Sequence, residues 1–221
     1  MRDVLPGELL KIDRNGPATV YRLKSTGLAT CVFEFIYFAR PDSYIQGQSL
    51  YYARKKMGAF LAKEYPVDAD IVIPVPDSGI PAAIGYAQES GIPFDEGLIK
   101  NRYVGRTFIA PDQRIRSLGI RIKLNPLREA VGGKRVVLID DSIVRGTTSS
   151  KIIRMIYDAG AKEVHVRVSS PPVCFPFFYG IDTAEAEQLI ASTRTVEQVR
   201  SILKPDSLKY LSRENMMRSC N

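Results

Sequence analysis

What most constrains this chain is the run from Arg135 to Ser169, which reads as strand, tight loop, helix and strand. Arg135-Val136-Val137-Leu138-Ile139 is short and apolar after its first residue, the pattern of a strand covered on both faces. Ser149 to Ala159 (SSKIIRMIYDA) carries apolar residues at helical spacing, Gly160 is placed to close that helix, and Val164 to Ser169 (VHVRVS) is the next strand. Parallel strands need a long crossover, usually a helix, so this is a βαβ unit. The predicted class is α/β, a mostly parallel twisted sheet flanked by helices. Sheets of this kind bind ligands at the carboxyl ends of their strands, which directs attention to the loop between Ile139 and Ser149.

The rest of the chain is consistent with that core. IVIPVP at 71–76 is a second short apolar strand, followed by a helix from Ile80 to about Glu89 with Gly91 as its cap. Gln48 to Glu64 shows apolar spacing near 3.6 and is predicted helical. The first forty residues read as strand-like pieces, ELLKID at 8–13, TVYRL at 19–23 and CVFEFIYF at 31–38, with a turn at Asn15-Gly16-Pro17. A small antiparallel element is expected there, and residues 183–203 are expected to be helical. The division that results is N-terminal strands over 1–40, a core over 41–182, and a helical C-terminal segment over 183–221 that packs on the core.

At 221 residues the chain can bury about 70% of its unfolded surface without disulfides or a structural metal. Cys31, Cys174 and Cys220 are widely spaced and odd in number, which fits a reducing compartment, and buried structural thiols are expected. The start has no apolar core of signal-peptide length, and no segment approaches eighteen apolar residues, so a cytoplasmic protein without membrane association is expected. The net charge of +7 implies an anionic partner, and charge alone leaves nucleic acid, a membrane surface and a phosphorylated small molecule open. Lys100, Arg102, Arg106, Arg114, Arg116, Arg121 and Lys123 crowd one stretch, opposed there only by Asp112. With no zinc-finger spacing and no RNP-like aromatic run, that cluster fits a phosphate-rich ligand at least as well as a polymer. The lone His165, alternating within a strand, reads as an ordinary surface residue.

The chemistry is concentrated between Asp140 and Ser149. Adjacent carboxylates at the mouth of a buried strand are costly unless something cationic or hydroxylated faces them. Arg145, Gly146, Thr147, Thr148 and Ser149 follow, leading into a helix N-terminus whose free N–H groups and hydroxyls suit a phosphate dianion. One ligand carrying both hydroxyls and a phosphate would engage both features. An Asp at a strand end and a Thr or Ser at an N-cap also occur as plain capping, and that reading stands beside the functional one. Neither GxxxxGK[ST] nor GxGxxG after a strand is present.

The run from Val136 to Ser149 resembles the 5-phosphoribosyl-1-pyrophosphate (PRPP) motif of the type I phosphoribosyltransferases, which implies that fold. The resemblance gives Asp140 and Asp141 the ribose hydroxyls and magnesium, and Ser142 with Arg145 to Ser149 the substrate and its 5-phosphate. Pro74 to Gly79, at the end of the other apolar strand, resembles that family's pyrophosphate loop, where a non-proline cis peptide sometimes occurs. Asp77, Ser78 and Gly79 would bind pyrophosphate, with Ser78 joining the magnesium shell; as plain residues they serve equally well as a helix cap. Residues 100–135 form a long, basic, weakly periodic segment, either a solvated loop or a lid that closes over pyrophosphate and excludes water.

The resemblance extends to the glutamine PRPP amidotransferase family, carried by FEFIYFARPDS (33–43), KNRYVGRTFI (100–109), IDDSIVRGTTS (139–149) and FYGIDT (178–183). It implies attack of ammonia on C1, with inversion, to give 5-phosphoribosylamine at the start of purine synthesis. Lys100, Tyr103 and Arg106 are the lid residues it brings to catalysis. Members of that family carry an N-terminal glutaminase domain beginning with a nucleophilic Cys, whereas here Met1 is followed by Arg2. The chain is therefore expected to be the transferase half, cut from or encoded apart from a glutaminase partner, with residues 1–40 as the interdomain remnant. Homo-oligomerisation and feedback by purine nucleotides are implied as well. An iron–sulfur cluster, present in some relatives, is not expected: Cys31 matches one ligand position, but Phe177 stands near another and Cys220 has no CxxC partner. A base-salvage phosphoribosyltransferase and a PRPP-sensing DNA regulator are the alternative readings.

Overall fold

The computed structural model describes residues 4–24, 29–101, 124–177 and 185–221. Two compact units divide the chain, Met1–Glu34 and Phe35–Asn221. In the first, β1 (Glu8–Asp13) and β2 (Gly16–Arg22) form an antiparallel hairpin with Asp13 opposite Gly16. The Asp13 carboxylate accepts the Asn15 N–H at 2.9 Å, and Gly16 takes φ +99°, so the Asn-Gly turn closes as its residue types dictate.

The second unit is built on a four-stranded sheet, and every neighbouring pair in it is parallel. A short antiparallel pair, β3 (Tyr44–Ile45) and β4 (Gln48–Ser49), leads into α1 (Leu50–Glu64). The first sheet strand, β5 (Ile71–Pro74), is followed by α2 (Ile80–Ser90), whose chain turns at Gly91 with φ +74°. Next come β6 (Leu98–Lys100), its antiparallel partner β7 (Leu124–Pro126) and the short α3 (Arg128–Val131). The central βαβ unit is β8 (Arg135–Asp140), α4 (Thr147–Asp158) and β9 (Glu163–Val168). After it come α5 (Val196–Leu203), β10 (Ser207–Tyr210) and α6 (Arg213–Ser219). The order across the sheet is β10-β9-β8-β5.

Alternation along these strands builds two cores. Ile73, Leu138, Val166 and Leu208 pack with Ile152, Ile153 and Ile156 of α4. The intervening Val72, Val137 and Ile139 are equally buried and face the other way, where α2 packs against β5 and β8. Apolar residues are therefore needed at every position, which is why these strands read as unbroken hydrophobic runs. At the opposite end of the sheet Arg135 locks β8 to the start of β5: its side chain donates to both Asp70 oxygens and its N–H to Asp70 Oδ2 at 2.8 Å. The guanidinium holds the Asp70 carboxyl down at about 2.

Four sequence expectations need correction. CVFEFIYF is not a strand: Glu34–Phe38 forms a π-helical turn, with Phe35 and Ile36 buried. The buried Arg54 stabilises it by donating to Phe35 O at 2.8 Å and Ala39 O at 2.7 Å. Residues 183–203 are helical only in part, a 3₁₀ turn at Ala186–Gln188 and then α5, whose Thr195–Gln198 capping box restarts the helix. The C-terminal segment is not purely helical either, since β10 adds a parallel strand beside β9. His165 is buried rather than at the surface, its ring nitrogens 3.0 Å from Ser207 Oγ and 3.0 Å from a Glu163 carboxylate oxygen.

Helices α1 and α2 cross through glycine. A Cβ on Gly58 would lie 1.8 Å from Ala82 O, and one on Gly85 would lie 2.0 Å from Lys55 O. Backbone cannot yield as a side-chain tip can, so Gly58→Ala must push the helices apart. We expect it to lower unfolding free energy by about 1–3 kcal/mol in a denaturant titration; an unchanged midpoint would contradict this packing.

Candidate active site

Adjacent parallel strands bring two loops to one edge of the sheet. Pro74 of β5 lies in register with Ile139 of β8, and the Val75 N–H donates to Ile139 O at 2.8 Å just past that pair. From that shared point each chain turns into a helix.

The first loop runs from Val75 to Gly79. Its Pro76–Asp77 peptide is cis, the feature that the resemblance leads one to look for. Gly79 donates to Val75 O at 3.1 Å, and a Cβ on it would lie 2.8 Å from both Ile139 O and Val75 O. Only glycine allows this close approach, which folds the loop back over the end of β8. Ser78 is half-buried and Asp77 exposed. The Asp77 carboxylate forms an ion pair with Lys100, the last residue of β6, so a residue predicted for the lid is tied to a residue of this loop.

The second loop starts at Asp140, the last residue of β8. Ile143 is buried to 1% exposure, and Val144 O accepts the Ile190 N–H at 2.9 Å. These two anchors fix the loop from below. Gly146 turns the chain into α4 with φ +76°, at a place where a Cβ would meet Ile190 Cδ1 at 2.5 Å. No side chain caps α4, which leaves its first-turn amides free of a capping acceptor. Thr147, Thr148 and Arg145 are exposed there. Ser149 is buried, its hydroxyl 3.5 Å from Asp140 Oδ2, so it backs the carboxylate.

The electrostatics are those of an unbalanced acidic pair. Asp140 and Asp141 are each 8% exposed, and among the described residues neither has a cationic partner. Burial, reinforced by the Asp141 charge, holds the Asp140 carboxyl well above the usual range. Among the described residues its donors are the Asp141 N–H at 3.0 Å and the more distant Ser149 hydroxyl at 3.5 Å. Ser142 Oγ lies 3.3 Å from Asp141 Oδ1. Oxygen ligands with surplus negative charge are what a hard divalent cation requires. Among the described residues there is no cluster of three His, Cys, Asp or Glu.

The geometry thus unites Asp77, Ser78 and Gly79 with Asp140 to Ser149 and adds Lys100. Tyr103, Arg106 and the FYGIDT block lie outside the described residues. Cys31, Cys174 and Cys220 are free thiols of intermediate exposure rather than buried ones, although partial burial pushes the Cys220 thiol up to about 11. The sequence reading missed Ile190 and Leu203 as the walls against Gly146; their apolar character marked them as core and carried no sign that they shape a loop. No helix among the described residues is long and apolar enough to cross a membrane.

Comparison with known proteins agrees with this fold. The family described as phosphoribosyl transferase domain matches residues 42–170. The amidophosphoribosyltransferase of Synechocystis sp. is 57% identical over 217 residues, covering 98% of this chain and 44% of the relative. That of Archaeoglobus fulgidus is 58% identical, covering 98% of this chain and 48% of the relative. A glutamine PRPP amidotransferase from B. subtilis, solved in complex with ADP and GMP, superposes with a TM-score of 0.87 at 52% identity, covering 99% of this chain and 48% of that one. A structure described as the allosteric regulatory enzyme of purine biosynthesis superposes with a TM-score of 0.88 at 52% identity, covering 100% and 48%. The chain spans about half the length of the curated relatives it matches.

Gly146 is the most exacting position in the second loop. Gly146→Ala should cost about 1–3 kcal/mol, because alanine is strained at this φ and its methyl strikes Ile190. Thermal unfolding with and without inorganic phosphate checks both effects: a lower midpoint and a smaller protection by phosphate are expected.

Proposed function

The chain belongs to the phosphoribosyl transferase domain family, and on that premise we propose that it is the transferase half of an amidophosphoribosyltransferase. It converts PRPP and ammonia to 5-phosphoribosylamine and pyrophosphate, the first step of purine synthesis, in the cytoplasm. The observation that carries the reading is the pair of loops joined by the Val75–Ile139 hydrogen bond, one acidic and phosphate-shaped, the other tied to Lys100. A sugar whose C1 bears pyrophosphate and whose C5 bears phosphate spans those two loops. Identity of 57% over 98% of the chain supports the amido-transfer among the reactions of this family.

In this reading Asp140 and Asp141 accept hydrogen bonds from the ribose hydroxyls. The amides of Gly146 to Ser149, the Thr147 and Thr148 hydroxyls and Arg145 hold the 5-phosphate at the positive end of α4. Ser142 stays beside Asp141 and keeps its carboxylate in place. Asp77, Ser78 and Gly79 hold the pyrophosphate, and Lys100 leaves Asp77 to neutralise it together with Arg106, with Tyr103 as a further contact. Ser78, Asp140 and Asp141 would hold magnesium, which supplies positive charge to the departing pyrophosphate. Ammonia forms a bond to C1 as the bond from C1 to pyrophosphate oxygen breaks, and the nitrogen then gives a proton to solvent. The protein accelerates this by positioning and by fixed charge, without a covalent intermediate.

Ammonia would come from a glutaminase domain or subunit, and the assembly would be a homo-oligomer. Purine nucleotides would act as feedback inhibitors, a reading supported by the ADP and GMP bound to the B. subtilis relative.

With magnesium, PRPP and high ammonium the protein should release pyrophosphate, and replacing both Asp140 and Asp141 by Asn should abolish release. Release that needs a purine base and ignores ammonium would contradict the amido-transfer; no release and no PRPP binding would contradict the assignment itself.

A further inference from the structure

Behind the acidic pair lies a polar feature that the reaction as described does not use. Among the described residues, Ser170 Oγ and Tyr210 Oη are buried side-chain oxygens without a hydrogen-bond partner. Ser170 is 1% exposed and Tyr210 6%. Such groups are scarce in folded proteins because each one gives up its hydrogen bonds to water and gains nothing in return. Two of them at the strand ends beside Asp140 call for a common explanation.

The strand register sets them at one end of the sheet, with Val168 between Asp140 and Tyr210. Asp140 is opposite Val168 on β9, and Val168 is opposite Tyr210 on β10. Residues paired across parallel strands share a face, so Asp140 and Tyr210 lie on the same side of the sheet. Ser170 lies two residues beyond Val168, where the Ser169 N–H donates to Asp140 O at 2.9 Å and the Leu211 N–H donates to Val168 O at 2.9 Å. Those bonds keep all three chains side by side as they leave the sheet. Burial above all, and then the neighbouring Asp140, push the Tyr210 hydroxyl up from its ordinary value, and a phenol hydroxyl can donate a hydrogen bond. Asp140 has spare acceptor capacity, since a carboxylate offers about four lone-pair sites and, among the described residues, only the Asp141 N–H lies at good distance.

We propose that Tyr210 and Ser170 are positioning residues for the Asp140 carboxylate, their hydroxyls seating one ordered water that links them to it. The water accepts from both hydroxyls and donates to Asp140, three partners, which is the usual number for a buried water. The carboxylate is thereby held in the orientation that receives the ribose hydroxyls and the cation. This deepens the PRPP reading and rests on it for the ligand.

The test is Tyr210→Phe and Ser170→Ala, singly and together, in the full chain. Thermal unfolding without ligand and calorimetric titration with magnesium and PRPP are the readouts, with KM and kcat for pyrophosphate release alongside. Each single variant should lower the midpoint by a few degrees and weaken PRPP about five- to thirty-fold, raising KM more than it lowers kcat. The double variant should be no weaker than the worse single one, because either change loses the same water. The proposal is overturned if Tyr210→Phe raises the midpoint, as removing an unpaired buried hydroxyl does, if affinity is unchanged, or if the two losses add. Should Tyr210→Phe fail to fold, Ser170→Ala with unchanged affinity and midpoint overturns it equally. Wild-type protein that does not bind PRPP defeats the functional reading instead, and the ligand-free midpoints still decide whether the hydroxyls are linked.

Discussion

Two carboxylates in succession at the end of a buried strand, without a cation among the described residues to balance them, are the constraint on which the rest of this structure depends. Burying ionised groups unpaired is unfavourable, and the raised Asp140 carboxyl records that cost. The fold tolerates it because the surrounding loop is held by other means: Ile143 in the core, Val144 bonded to Ile190, and Gly146 in a conformation that lets the chain enter α4 at once. Acidic oxygens and the first turn of a helix that no N-cap side chain closes are thus fixed a few residues apart. In the proposed function that pre-organisation serves a substrate with hydroxyls, phosphate and a cation, each of which relieves one part of the imbalance.

The sheet supplies the second half of the arrangement. Parallel order puts the ends of β5 and β8 on the same edge, and the hydrogen bond from Val75 to Ile139 fixes the spacing between their loops. The Gly79 contact with Ile139 O removes slack in the same place. The pairing of Lys100 with Asp77 then connects the stem made by β6 and β7 to the first loop. The ion pair is largely exposed and weak, so in the proposed function Lys100 can exchange Asp77 for a phosphate.

Much of this was legible in the residues. The βαβ unit followed from an unbroken apolar strand, an amphipathic helix and Gly160, and the phosphate-shaped loop followed from Asp-Asp and Arg-Gly-Thr-Thr-Ser. The failures have physical causes. The apolar run CVFEFIYF looks like a strand locally, yet it coils because Arg54, distant in sequence, supplies donors for its carbonyls. His165 lies on a strand whose outer face would be wet if β9 were the edge; β10 covers it, and Ser207 and Glu163 satisfy its ring. Four residues, SLKY, are too short for a periodicity to announce that strand. The alignment of Asp140, Val168 and Tyr210 could not be read without the register.

The central claim is that the two loops grip opposite ends of a single molecule. Calorimetric titration of pyrophosphate and ribose 5-phosphate separately, with magnesium present, tests it on wild-type protein and on Ser78→Ala and Thr148→Ala. The account predicts that PRPP displaces both, that Ser78→Ala weakens pyrophosphate and spares ribose 5-phosphate, and that Thr148→Ala does the reverse. Both ligands remaining bound in the presence of PRPP, or both variants weakening the same ligand, would contradict it.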